Sequence, residues 1–123
     1  MSTPNLIARD WRALAAFYES VLGCVRVPPE RAYAGPDLER GTGVPGAALS
    51  GVHLRMPGWG DEGPTLEMFS YTTPAAGPTP AVHRPGFAHI AFAVPSVKTA
   101  RDETLAAGGQ AVGEVVTLAS PGG

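Results

Sequence analysis

The sequence predicts an α+β domain built from two modules of the order strand, helix, strand, strand, strand, the second of them incomplete. Three observations carry this reading. Residues 50–56 and 64–71 alternate apolar and polar side chains with the period of a half-buried strand. Residues 11–22 instead repeat apolar side chains at helical spacing, bounded by an Asp and a Gly. Near residue 87 the same order of strand and capped helix begins again.

Residues 3–9 read as a short strand. Asp10 follows in the position of a helix N-cap, where its carboxylate can accept from first-turn N–H groups. Trp11, Leu14, Phe17, Tyr18, Val21 and Leu22 then recur on one helical face, and Gly23 stands where a C-terminal cap belongs. Residues 24–27 suggest a second strand. A Pro/Gly-broken segment comes next, with a helical turn expected at 36–41. In 50–56, Val52, Leu54 and Met56 share one face and His53 and Arg55 the other. Residues 58–63 make a turn. In 64–71, Leu66 and Met68 oppose Glu67, Phe69 and Tyr71. Trp11, Leu14, Phe17, Leu54, Leu66 and Met68 are expected to be buried together.

This first module covers 1–73, a linker covers 74–86, and the second module covers 87–123. The second should hold a strand at 87–94, a helix from the Ser96 cap to about Ala107, and a strand at 110–118. A shift of 86 residues puts Asp10 on Ser96, Gly23 on Gly109 and Thr3 on His89, so caps and terminators align without a gap. At that shift the counterpart of Glu67 would be numbered 153, beyond this sequence of 123 residues. A truncated second module is therefore expected.

Composition narrows the classes. A length of 123 residues fits one domain, and 44% hydrophobic with 16% charged residues is globular rather than disordered. The net charge is −2, and no run of Lys or Arg suggests nucleic acid as a partner. No apolar run is long enough for a membrane span, and the N-terminus lacks a basic and then apolar leader. Cys24 is the single cysteine, so no internal disulfide can form and a cytoplasmic location is expected. Its role is expected to be that of a small buried apolar residue.

Some residues stand out chemically. Glu67 sits mid-strand on a partly buried face, and an unpaired buried carboxylate is costly. A divalent cation would satisfy it; so would His53 or Arg55 on the neighbouring strand. His89 lies among Phe87, Ile90 and Phe92, where an imidazole is either a metal ligand or a hydrogen-bonded core residue. His53 and Arg55 could meet an anionic or carbonyl-bearing ligand, or simply face water. Asn5 could hydrogen-bond a ligand, and Phe69 and Tyr71 could wall an aromatic one.

The runs NLIARDWRALAAFYESVLGC, GVHLRMPG, GPTLEMFSY and RPGFAHIAFAV resemble the vicinal-oxygen-chelate superfamily, the glyoxalase/bleomycin-resistance/dioxygenase-like proteins, and its bacterial glyoxalase-like members in particular. The resemblance spans essentially the whole chain. It implies paired βαβββ modules forming a curved mixed sheet cup with helices outside, and a ligand site in the cup. It also implies metal ligands from the first and last strands of each module. Those positions are Thr3, Glu67 and His89, the fourth having no counterpart here. Glu67 and His89 are thus the implied ligands of a divalent ion (Zn, Ni, Mn or Fe), with Thr3 a poor donor beside them. The activity implied is metal-dependent lyase, isomerase or dioxygenase chemistry on a small carbonyl- or diol-type substrate. The alternative is a non-catalytic, drug-binding resistance protein using the same cup. A homodimer is the implied assembly.

Overall fold

A computed structural model describes residues 4–87 and 89–118. These fall into two compact units, one up to Ile90 and one from Ala91 on. The first unit runs β1 (Asn5–Ile7), α1 (Trp11–Leu22), β2 (Val25–Ala34), α2 (Pro36–Thr42), β3 (Ala48–Arg55), a 3₁₀ turn (Gly60–Glu62) and β4 (Thr65–Tyr71). Its four strands form one sheet in the order β1-β4-β3-β2. β1 runs parallel to β4, whereas β3 is antiparallel to both β4 and β2. The sheet is therefore mixed, and the architecture is the α+β one the sequence predicts.

Helix α1 starts and stops where its caps direct. The Asp10 carboxylate accepts from the N–H groups of Arg12 and Ala13 at 3.1 and 3.2 Å. Gly23 adopts φ 74°, a left-handed conformation that costs glycine nothing, and ends the helix. The first turn is also pinned to the sheet. The Trp11 N–H donates to Ser70 Oγ at 2.9 Å, and its indole N–H donates to Ser50 Oγ at 3.2 Å.

The alternation in β3 and β4 decides which sheet face meets the helix. Val52, Leu54, Leu66 and Met68 are buried there with Trp11 and Ala15. Each such side chain contributes about 1.5–3 kcal/mol by leaving water. Leu14 and Phe17, expected in this core, are only half-buried. At 3.6 residues per turn, Leu14 lies about 60° and Phe17 about 120° around the helix from Trp11. The axis of contact runs through Trp11 and Ala15, and Leu14 and Phe17 flank it.

Strand β2 is longer than its expected 24–27. It continues to Ala34 through a register shift between Val27 and Arg31, where the Pro28–Pro29 peptide is cis. Prolines cannot donate to a ladder, and β2 is an edge strand that tolerates them. β1 is shorter than the expected 3–9, since three residues pair with β4.

In the second unit, α3 spans Val97–Ala106. Ser96 caps it by accepting from the Thr99 N–H at 3.2 Å, as Asp10 caps α1. The expected strands at 87–94 and 110–118 do not form among the described residues. The first unit supplies a physical reason. There β1 and β2 never touch each other; each pairs with one arm of the β3–β4 hairpin. Counterparts of β1 and β2 need such a hairpin between them, and at a shift of 86 this sequence holds no counterpart of it.

Candidate functional site

The face of the sheet turned away from α1 carries the candidate residues in cross-strand rows. Asn5 pairs with Glu67, and Glu67 pairs with His53, which pairs with Val27. Directly paired residues project to the same side, so Asn5, Glu67 and His53 converge from three strands. Asn5 Nδ2 donates to Glu67 Oε2 at 3.0 Å. His53 Nε2 lies 3.5 Å from Glu67 Oε1. The His53 and Glu67 side chains are 19% and 28% exposed, sheltered yet within reach of a solute.

The neighbouring row, about 7 Å along the strands, is Ile7, Phe69, Gly51 and Arg31. Gly51 has no side chain, and the Phe69 ring occupies the space above it. Phe69 is buried and stands edge-on to His53 and Tyr33, with ring centroids 6.2 and 6.3 Å away. A hollow bordered by Ile7, Arg9, Pro74 and Pro78 opens at the end of β1. On the opposite flank, Arg55 Nη1 lies 3.7 Å from Asp61 Oδ1 in the 3₁₀ turn. Tyr71 shares the face at the far end of β4, across from Leu49.

The structure thus joins Asn5, His53, Glu67 and Phe69, and sets Arg55 and Tyr71 at the two ends of the same face. Arg55 pairs with Asp61 rather than with Glu67. Thr3 lies outside the described residues. His89 is exposed in a stretch that forms no strand, and it does not gather with His53 and Glu67 into a group of potential ligands. Sequence reasoning missed Arg31 and Tyr33 by placing them in a Pro/Gly-broken loop. The alternation of Arg31 and Tyr33 with Ala32 and Ala34 was the available signal.

The donor chemistry suits a divalent cation. The 3.5 Å between Glu67 Oε1 and His53 Nε2 is about the spacing of two donors on one tetrahedral ion with ligand distances near 2.0–2.2 Å. Among the described residues, no group of three or more His, Cys, Asp or Glu side chains gathers in this way. No helix among them is long and apolar enough to cross a membrane.

Residues 4–123 match a family model described as a glyoxalase-like domain. The fold is similar to the crystal structure of a glyoxalase family protein from Bacillus cereus, with a TM-score of 0.81 at 19% identity. That match covers 97% of this chain and 78% of the other. No curated protein matches the sequence.

Proposed function

This chain belongs to the glyoxalase-like domain family, and on that premise we propose that its open sheet face binds a small carbonyl- or diol-bearing molecule and moves a proton at the carbon beside the carbonyl. The observation that supports this reading is the setting of Glu67. A carboxylate at the centre of a sheltered face has one oxygen held by the Asn5 amide and the other turned toward an imidazole.

In this reading Glu67 is the base. Asn5 fixes the plane of the carboxylate, so the free lone pairs of Oε1 point to one place. His53 stands beside that oxygen and can accept or return the proton. Phe69 excludes water from one side of the pair. Arg55, on the same face, offers positive charge to an oxygen that becomes negative as the proton leaves. A divalent ion (Zn, Ni, Mn or Fe), held by Glu67 with His53 beside it, would supply Lewis-acid polarisation of the substrate oxygens; His89, the further ligand that the family resemblance implies, would have to turn in from its exposed position to join them. The setting we propose is a cytoplasmic homodimer.

Deuterium exchange tests the proposal. Small hydroxyketones and 1,2-dicarbonyl compounds are incubated with the protein in D₂O, with and without added Zn, Ni, Mn or Fe, and followed by proton NMR. Exchange at the carbon beside the carbonyl is expected. Glu67→Gln should slow it on the order of a hundredfold, the usual contribution of a positioned acid–base group. Exchange that Glu67→Gln leaves unchanged would remove Glu67 from the reaction. The second reading, a protein that sequesters a hydrophobic compound without reaction, is favoured by the buried Phe69 ring beside Tyr33. It predicts saturable binding of aromatic compounds with no exchange under any of these conditions.

A further inference from the structure

Three arginines among the described residues are half-buried: Arg26, Arg31 and Arg55. Arg26 Nε bonds Glu19 at 2.7 Å, and Arg55 lies beside Asp61. Arg31 differs. It has no ion pair and no side-chain hydrogen bond among the described residues, and its Nε is fully enclosed without an acceptor. An enclosed donor on a cation is costly to leave unmade, and its charge lacks a counterion.

Its position gives this a direction. Arg31 is paired with Gly51, and Gly51 with Phe69, so the guanidinium shares a row of the open face with the Phe69 ring. Gly51 places no side chain between them. Tyr33, two residues along β2, meets the edge of the same ring. An apolar wall of Phe69 and Tyr33 therefore adjoins an unpaired planar cation. The next row along holds Glu67 and His53.

We infer that Arg31 anchors the carboxylate of a small planar organic acid whose hydrocarbon part lies against Phe69 and Tyr33. The two terminal nitrogens of a guanidinium offer parallel N–H donors that match the two oxygens of a carboxylate. A carboxylate so placed supplies the negative charge that the guanidinium lacks among the described residues. Arg31 as a whole is only half-buried, which gives the acid its approach. The other end of the molecule then extends toward Glu67 and His53. This inference rests on the proposed use of the open face as a ligand site, and adds the class of ligand.

Calorimetric titration of the full chain with benzoate, benzamide and inorganic phosphate tests it. Benzoate and benzamide share a ring and differ in charge; phosphate has charge without a ring. Benzoate is expected to bind about tenfold more tightly than either, the size of one charge-assisted pair. Arg31→Met should abolish the preference for benzoate over benzamide. Arg31→Lys, which keeps the charge and loses the fork, should weaken benzoate several-fold and serves if the Met variant does not fold. Equal binding of benzoate and benzamide, phosphate binding as tight as benzoate, or unchanged benzoate affinity in Arg31→Lys would each overturn the assignment. Deuterium exchange reads Glu67 separately. A benzoate preference without exchange refutes only the proton-transfer reading, and exchange without a benzoate preference refutes only the role of Arg31.

Discussion

Gly51→Ala probes the open face at its most crowded point. A methyl group at residue 51 would meet the backbone carbonyl oxygen of Met68 and the Cδ1 edge of the Phe69 ring. Two effects oppose each other. Replacing glycine restricts the unfolded chain and favours the variant by about 0.4–1 kcal/mol. Overpacking a filled site costs about 1–3 kcal/mol, and here one obstacle is backbone that no rotamer change can clear. Phe69 is 6% exposed, so its ring has little room to retreat. The net expectation is a loss of roughly 2 kcal/mol, from the upper part of the overpacking range less the entropic gain. Urea unfolding can be followed by fluorescence, because Trp11 is 4% exposed and pinned to the sheet. With a slope of about 1–3 kcal/mol per molar urea, the midpoint should fall on the order of 1 M. Combining Gly51→Ala with Phe69→Ala removes one obstacle of the two, so the double variant should be more stable than the sum of the single losses implies. A Gly51→Ala midpoint equal to or above that of the parent would refute the packing described for this face.

Three further outcomes are expected. Asp10→Ala removes the acceptor for two N–H groups at the start of α1 and should cost about 1 kcal/mol in the same urea assay; no loss would mean that the cap is idle. The hydrogen bond from Arg12 holds the Glu30 carboxyl below the ordinary carboxylate range. The stabilisation this gives is present above the unfolded-state pKa and is lost as pH falls through the folded one. Glu30→Gln should therefore lower the midpoint at neutral pH and converge with the parent in acid, and a constant difference across that range would contradict the pairing. Burial, and secondarily Glu19, push the Cys24 thiol up. A disulfide reagent at mildly alkaline pH should therefore label it slowly in the folded protein and rapidly in urea, whereas labelling at the rate of free cysteine would show it open to solvent.

The parts of this fold legible in the sequence are those with a strong local code. Strands β3 and β4 have one face against a helix, and their period-two alternation assigned Leu54, Leu66 and Met68 to the core and His53 and Glu67 to the other side. Asp10, Gly23 and Ser96 marked helix ends because each satisfies backbone groups a few residues away. What depends on distant partners was not legible. Phe87, Ile90 and Phe92 read as strand residues, yet a strand exists only through its neighbour's hydrogen bonds. β2 was read short because its prolines resemble loop punctuation, and only the edge position in the sheet accommodates them. That misreading hid Arg31 and Tyr33. The convergence of Asn5, His53 and Glu67 follows from strand order, which alternation alone does not specify.

Strand order also bears on how the chain acquires its site in time. The earliest strands, β1 and β2, end at the outer edges, and the latest pair fills the centre. As synthesis proceeds, α1 can form from local contacts, but β1 waits for a partner 62 residues downstream, where Asn5 meets Glu67. Closing so long a loop is entropically expensive and slow. The Asn5–Glu67–His53 cluster therefore assembles in the last step of sheet closure. For the same reason it is the first to come apart: peeling the three residues of β1 from β4 removes Asn5 from the carboxylate while α1 and the β3–β4 hairpin persist. A ligand held by this cluster would act as a clasp on the chain's own beginning.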